Sequence, residues 1–130
     1  MRDPKLKILL IDDDEDFLFL SKKRLVDLNS NLKIITLTDT GNILNNIKQI
    51  NPDLIICDLK MPELSGVDVN RVLTKNNCKI PFVLCSSEKI EKLMEVIEEN
   101  NINYFIEKIT PIELTFDKIN SLINKTFSVT

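Results

Sequence analysis

The chain has 130 residues, of which 43% are hydrophobic, so we expect one globular domain with a single core and no room for a second. The formal net charge of -3 predicts that no broad basic surface is available for direct nucleic-acid binding. The chain contains no histidine, which excludes imidazole metal sites and histidine-dependent nucleophilic catalysis, so any metal must be held by oxygen.

Five short apolar runs lie along the chain, each bounded by polar residues or proline. Their β-branched and aliphatic content predicts buried strands. The runs cover residues 6–11, 33–37, 53–57, 80–85 and 103–107. Each run is followed by a window long enough for a helix, and these windows cover residues 14–28, 40–50, 65–76, 88–99 and 112–125.

Within these windows apolar residues recur at helical spacing, which predicts amphipathic helices with one core-facing side. Asp14 stands where the first helix should begin and is predicted to cap it. The predicted core-facing residues are Phe17, Leu20, Leu25 and Leu28 in the first window, and Ile90, Leu93, Met94 and Ile97 in the fourth.

Alternating strands and helices of this length favour an open parallel sheet covered by helices on both faces. Such sheets bind ligands beyond the carboxyl ends of their strands. We expect the polar residues that follow four of these runs to meet at that edge. They are Asp12 and Asp13 after the first run, Asp58 after the third, Ser86 after the fourth and Lys108 after the fifth.

The predicted edge cluster carries several carboxylates, which repel one another. Two carboxylates about 5 Å apart repel by about 3 kcal/mol in an effective dielectric of about 20. Either their pKa values rise or a cation binds, and with oxygen ligands alone Mg²⁺ is the expected ion. Together with Lys108, such an ion suits a phosphoryl group, for which the carboxylate of Asp58 is the natural acceptor.

Taken singly, these residues have simpler interpretations. A serine such as Ser86 or Ser87 can cap the helix that follows, and a lysine such as Lys108 is often a solvated surface charge. The three cysteines show no CxxC spacing, so we expect reduced thiols, with Cys57 and Cys85 packed as small apolar residues. The N-terminus has no apolar signal region and no run approaches a membrane span, which predicts a cytoplasmic protein.

The stretch from Pro52 to Gly66 reads PDLIICDLKMPELSG, with an aspartate ending a strand, then Met-Pro and glycine. In this pattern the sequence resembles the receiver domain of two-component response regulators, of the chemotaxis-regulator type. The resemblance runs from about residue 6 to residue 123. It implies a flavodoxin-like (βα)5 three-layer α/β sandwich with a five-stranded parallel sheet of order 2-1-3-4-5, forming a single receiver domain over residues 1–130.

The resemblance also implies a metal site and a phosphorylated residue. By position, Asp58 corresponds to the phosphoacceptor and Asp13 to a direct Mg²⁺ ligand. Asp12 would act on the metal largely through water, and the backbone carbonyl of Lys60 would complete the protein ligands, with Asp58 itself among them. Mn²⁺ is an expected substitute for Mg²⁺.

A switch is implied in the same way. Ser86 corresponds to the hydroxyl that hydrogen-bonds the phosphoryl group, Lys108 to the lysine that pairs with it, and Phe105 to the aromatic residue that moves inward on phosphorylation. Lys60 and Glu88, two positions beyond Asp58 and Ser86, are expected to bridge the pocket and to modulate the phosphoryl lifetime.

The expected partners follow from the resemblance. A histidine kinase or a histidine phosphotransfer protein would supply the phosphoryl group, docking at the first helix near Leu18 and Phe19. These two residues lie beside the predicted core-facing side, so each is either partly exposed for docking or partly buried in the domain. The fourth helix, fifth strand and fifth helix would form the responding surface, for a downstream protein target or a phosphorylation-dependent dimer. The sequence fits either a stand-alone receiver or the receiver part of a longer protein.

The chain departs from the family pattern in two loops. Proline usually follows the lysine, but Lys108 is followed by Ile109, Thr110 and only then Pro111, which predicts a differently shaped loop. Residues 100–103 replace the usual Ala-Gly stretch with asparagine-rich sequence, and asparagine can adopt the left-handed turn geometry needed there.

Other functions fit fewer residues. A haloacid-dehalogenase-type phosphatase would use Asp12 and Asp14, but Asp16 stands where threonine or valine is expected. A calcium-binding loop over Asp12, Asp14 and Asp16 lacks the required glycine at Phe17. A receiver-like binding module that is never phosphorylated is the third alternative, and the intact set of five polar side chains argues against it.

Overall fold

The structure of the protein is a computed structural model, and it describes residues 5–127. A five-stranded parallel sheet has the strand order β2-β1-β3-β4-β5. This confirms the predicted flavodoxin-like order. The strands are β1 (Leu6–Ile11), β2 (Leu32–Leu37), β3 (Leu54–Asp58), β4 (Phe82–Ser86) and β5 (Tyr104–Glu107).

One helix follows each strand, and the helices form the two outer layers. Helices α1 and α5 pack on one face of the sheet, whereas α2, α3 and α4 pack on the other. Within residues 5–127, none of the helices has both the length and the apolar character required to cross a membrane. The helices are α1 (Glu15–Leu28), α2 (Ile43–Ile50), α3 (Gly66–Lys75), α4 (Ile90–Glu99) and α5 (Ile112–Phe127).

The central strand β1 shows why the sheet is buried on both sides. Successive side chains of a strand point to opposite faces, so Ile8 and Leu10 enter the core beneath α1 and α5. Leu9 and Ile11 enter the core beneath α2 and α3. All four side chains are fully buried, as expected for a parallel strand covered by helices on both faces.

The predicted core-facing sides of two helices are partly wrong. In α1 the buried arc contains Phe17, Leu18, Ser21 and Leu25, and Leu20 lies outside it. Leu28 is exposed because it is the last helical residue. The predictions for Ile90 and Met94 in α4 are also wrong, because this short helix packs on the sheet through the narrower stripe of Leu93, Val96 and Ile97.

Asparagine adopts the left-handed backbone conformation after three helices. Asn51, Asn77 and Asn101 have φ values of 51°, 57° and 53° at the ends of α2, α3 and α4. Left-handed residues there redirect the chain and let backbone amides satisfy the last helical carbonyls. Asn101 thus shows the turn geometry expected of the asparagine-rich stretch before β5.

Candidate functional site

The site lies at the carboxyl edge of the sheet, where three aspartates converge. Ile11 of β1 is paired with Cys57 of β3, so the next residues, Asp12 and Asp58, emerge side by side. Asp12 is 3% exposed, Asp58 is half-buried and Asp13 is exposed. Carboxylate oxygens of the three residues lie within 4.8 Å of one another, a set of oxygen atoms able to hold a metal ion.

Lys108 reaches into this cluster from the end of β5. Its Nζ lies 2.7 Å from Oδ2 of Asp12 and 3.1 Å from Oδ1 of Asp58. The Lys108 side chain is only 17% exposed, so the lysine is not the solvated surface charge of the simpler interpretation. Its backbone N–H donates to the carbonyl of Ser86 at 2.8 Å, which fixes the end of β5 against β4.

The ionisation of this cluster reflects burial and mutual charge. Burial raises the pKa of Asp12, and the hydrogen bond from Lys108 only partly opposes the shift. Burial, followed by the charge of Asp12, raises the pKa of Asp58. Burial disfavours the charged form of Lys108, but the hydrogen bond to Asp12 and the carboxylate charges outweigh burial and raise the pKa of the ammonium. Burial and mutual repulsion thus disfavour the charged forms of Asp12 and Asp58, and positive charge in the site favours them.

Asp14 connects the cluster to α1. Its side chain accepts hydrogen bonds from the backbone N–H groups of Asp16 and Phe17, which confirms it as the cap of α1. Its own N–H donates to Oδ1 of Asp12 at 2.9 Å. The loop that carries Asp12 is therefore anchored to the first turn of the helix.

Ser86 and Glu88 form the opposite wall of the site. Ser86 is 2% exposed, and its hydroxyl oxygen accepts a hydrogen bond from the backbone N–H of Glu88 at 3.1 Å. Lys60 Nζ lies 3.0 Å from Oε1 of Glu88, and this hydrogen bond lowers the pKa of Glu88. The structure thus brings Lys60 and Glu88 into the expected bridge between the loops after β3 and β4.

The loop between β3 and α3 depends on Gly66. A Cβ atom at this position would lie 2.5 Å from the backbone oxygen of Asp58 and 2.7 Å from Cδ1 of Leu84. The Gly66 N–H donates to the carbonyl of Leu59 at 2.9 Å, which closes the loop directly behind Asp58. Only glycine allows this approach without displacing the backbone of Asp58.

Thr115 shapes the loop after Lys108. The fully buried Thr115 hydroxyl accepts from the N–H of Ile109 at 2.8 Å and lies 3.2 Å from the Ile109 carbonyl. The peptide bond between Thr110 and Pro111 is cis. Thr115 was missed by sequence reasoning because nothing in the sequence separates it from an ordinary helical threonine.

Phe105 and Tyr104 lie beside a groove between β5 and α5. Phe105 is half-buried and packs against the core beneath α2 and α3, whereas Tyr104 is at the surface. The groove has a volume of about 940 Å³, and Leu114 and Lys118 line it from α5. The groove thus borders β5 on the side of α5, whereas the side chain of Phe105 packs on the opposite face of the sheet.

The two residues expected to form a kinase-docking surface differ in exposure. Phe19 is 67% exposed, as a docking residue requires. Leu18 is only 4% exposed and belongs to the core beneath α1 and α5, so the alternative of burial holds for Leu18 and it is not available for docking. The cause is the rotation of α1, which places Leu18 rather than Leu20 on the sheet.

The buried cysteines behave as packing residues. Cys57 and Cys85 are free thiols that lie in the cores on opposite faces of the sheet. Burial raises the pKa of both thiols, that of Cys85 to about 12. They are consequently protonated and unreactive near neutral pH, in agreement with the packing interpretation.

Comparison with known proteins identifies the family that carries this site. The response regulator receiver domain matches residues 8–120. The chain belongs to this family. The match agrees with the receiver resemblance and favours neither the phosphatase nor the calcium-binding loop nor the unphosphorylated binding module.

Individual relatives are similar over different lengths. A protein-glutamate methylesterase/protein-glutamine glutaminase of Treponema denticola is 37% identical over 83 residues, which are 63% of this chain and 22% of that protein. The phosphorylated cyanobacterial phytochrome response regulator RcpA has a TM-score of 0.81 at 21% identity, with 97% of both chains covered. The Mn²⁺-bound response regulator Rcp1 has a TM-score of 0.78 at 22% identity, with 96% of this chain and 97% of that chain covered. The chain spans between 22% and 48% of the length of the first three curated relatives.

Proposed function

We propose that this receiver accepts a phosphoryl group on Asp58 from a histidine kinase or a histidine phosphotransfer protein. The observation that carries the proposal is the position of Asp58, which lies at the sheet edge between two further carboxylates and 3.1 Å from the ammonium of Lys108. Catalysis of phosphoryl transfer consists mainly of alignment and charge neutralisation, and this site contains groups for both.

The residues present fit Mg²⁺, with Mn²⁺ as a substitute. The ligand atoms in the cluster are carboxylate oxygens, which hard divalent cations prefer, and the cluster has excess negative charge even with Lys108 present. Asp13 and Asp58 would hold the ion directly, the backbone carbonyl of Lys60 would complete the protein ligands, and Asp12 would act through water. When bound, the ion would neutralise the carboxylates and the phosphoryl oxygens.

The transfer itself needs few protein groups. The P–N bond of the phosphohistidine breaks as a P–O bond forms to a carboxylate oxygen of Asp58, and the imidazole nitrogen leaves with the bonding electron pair. Lys108, which now contacts the Asp58 carboxylate, would transfer its ion pair to a phosphoryl oxygen. Phe19, which is exposed on α1, the helix that follows the acidic loop, is the proposed contact for the phosphodonor protein.

After transfer, the phosphoryl charge would bias a switch at the surface. The hydroxyl of Ser86, which accepts from the Glu88 N–H, would turn to donate a hydrogen bond to a phosphoryl oxygen, and the loop after β4 would follow it. Phe105 would then move inward, which changes the surface of α4, β5 and α5. We propose this surface as the contact for a downstream protein or for a phosphorylation-dependent dimer. We also propose that the receiver is cytoplasmic and that its single domain spans residues 1–130.

The return to the unphosphorylated state would be hydrolytic. Water attacks the phosphorus atom, the P–O bond to Asp58 breaks, and inorganic phosphate leaves as the carboxylate is restored. The ion pair between Lys60 and Glu88 spans the two loops beside Asp58 and would limit the access of this water. The bridge is therefore a proposed determinant of phosphoryl lifetime.

Labelling with a small acyl phosphate tests the function directly. We expect acetyl phosphate to label the wild-type chain in Mg²⁺, and to leave it unlabelled after chelation of the metal. Asp58→Asn should abolish labelling, whereas Asp53→Asn, at a surface aspartate before β3, should not. Labelling that persists in Asp58→Asn overturns the site assignment, and steady turnover of a phosphate monoester would instead indicate a phosphatase.

A further inference from the structure

We propose that Phe17 is a positioning residue for phosphoryl transfer, and that the face of its ring holds the ammonium of Lys108 in place. The inference rests on the proposed role of Asp58. The observation behind it is the position of Lys108 Nζ, 4.3 Å from the centroid of the Phe17 ring. No feature of the sequence distinguishes Phe17 from the other apolar residues of α1.

The ammonium of Lys108 has a different partner on each of three sides. Asp12 accepts a hydrogen bond from it at 2.7 Å, Asp58 forms an ion pair with it at 3.1 Å, and the phenyl ring covers another side. The face of an aromatic ring carries negative electrostatic potential, which attracts a cation, and the attraction grows when water is excluded. Because Phe17 is 7% exposed, the contact is largely dry.

The ring itself is held by α1 and by α5. The backbone N–H of Phe17 donates to Asp14, and its carbonyl accepts from the hydroxyl of Ser21 at 2.6 Å. Its ring lies 5.6 Å from that of Phe116, tilted by 56°, a favourable arrangement for an aromatic pair. Phe17 is therefore a fixed support, connected through the same turn to the loop that carries Asp12.

The contact between the Phe17 ring and the Lys108 ammonium does not depend on which anion Lys108 contacts. When the negative charge moves from the Asp58 carboxylate to phosphoryl oxygens, the ammonium changes its hydrogen-bond partners but stays over the ring. A leucine side chain would fill much of the same space, but it would offer the cation no attraction. The Phe17 ring thus restricts the long, flexible side chain of Lys108 to positions within reach of Asp58.

Fluorination tests the attraction while leaving the shape of the side chain nearly unchanged. Replacing Phe17 with increasingly fluorinated phenylalanines withdraws electron density from the ring face. We expect the rate of acetyl phosphate labelling to fall stepwise, by about fivefold across the series, the size that a partly buried cation–π contact supports. The same series at Phe82, a buried phenylalanine in the core on the other face of the sheet, should leave the rate unchanged.

A spectroscopic measurement checks the contact without phosphorylation. The ε-methylene protons of Lys108 should show an upfield ring-current shift that is lost in Phe17→Leu and kept in Phe82→Leu. Two results would overturn this inference and leave the proposed function intact. One is a Lys108 signal without an upfield shift in the wild type, and the other is a labelling rate that stays constant across the Phe17 series. If the wild-type chain is not labelled at all, the proposed function fails, and the positioning role fails with it.

Discussion

Asp12 and Lys108 lie 96 residues apart in the sequence and form a 2.7 Å ion pair at the edge of the sheet. Both side chains are largely buried, so each depends on the other for charge compensation. The same ammonium also contacts Asp58. Lys108 is thus the cation that the described residues supply to the acidic cluster, and its contribution can be separated from that of a metal ion.

Replacing Lys108 with methionine should destabilise the chain in the absence of divalent ions. Removing one partner of a fully buried ion pair costs about 3–5 kcal/mol, and because this site opens to solvent we expect about 2 kcal/mol. Mg²⁺ should recover more stability in Lys108→Met than in the wild type, since it supplies the missing positive charge. Urea unfolding with and without Mg²⁺ measures both effects. An unfolding midpoint that changes with neither the substitution nor the metal would contradict this prediction.

Mg²⁺ should also stabilise the wild-type chain, because the proposed metal site exists only in the folded state. At an ion concentration of about 100 times Kd, the expected gain is about 2.7 kcal/mol. Asp13→Asn should remove most of this gain, since the Asp13 carboxylate is exposed and is one of the proposed metal ligands. Asp16→Asn is the matched control, because Asp16 is an exposed aspartate outside the cluster. If Mg²⁺ stabilises the two variants equally, the ion does not bind at the acidic cluster.

Gly66→Ala should destabilise the chain and disturb the site. The added Cβ would lie 2.5 Å from the backbone oxygen of Asp58, so the loop or the strand must move, at a cost of about 2–3 kcal/mol. Gly41→Ala is the control, because its Cβ would meet only the flexible side-chain carboxylate of Glu63. We expect Gly41→Ala to change the unfolding free energy by less than about 1 kcal/mol. Equal losses in the two variants would show that crowding at Asp58 is not the cause.

The sequence predicts the fold and the position of the acidic site well, for a common physical reason. A parallel strand buried on both faces needs an unbroken apolar run, and the polar residue that ends the run must lie at the sheet edge. The ends of β1 and β3 therefore identify Asp12 and Asp58 without any knowledge of their contacts. The end of a buried strand depends on residues adjacent in the sequence, so its position can be predicted from the sequence alone.

Residues that act through tertiary contacts were harder to predict. Phe17 is apolar and helical in sequence, and only the approach of β5 places Lys108 over its ring. Thr115 contacts Ile109 only because the loop after β5 folds back onto α5. The burial of Leu20 was predicted wrongly because the rotation of a helix about its axis is set by the sheet beneath it, and periodicity leaves that rotation uncertain.

The ion pair between Lys60 and Glu88 provides the last prediction. Lys60→Glu should break the bridge and expose the phosphoryl group to water, so we expect dephosphorylation about two to three times faster, a small effect because the pair is solvent-exposed. The double variant Lys60→Glu/Glu88→Lys restores opposite charges and should return the rate towards that of the wild type. Release of inorganic phosphate from the labelled chain measures both rates.

A charge change elsewhere on the surface separates the bridge from a general electrostatic effect. Lys48→Glu on α2 alters the net charge by the same amount as Lys60→Glu, at an exposed position outside the site. We expect its dephosphorylation rate to match the wild type. If Lys60→Glu also matches the wild type, the bridge does not limit the access of water. If the double variant is dephosphorylated as fast as Lys60→Glu, the rate depends on the residue at position 60 and not on the ion pair.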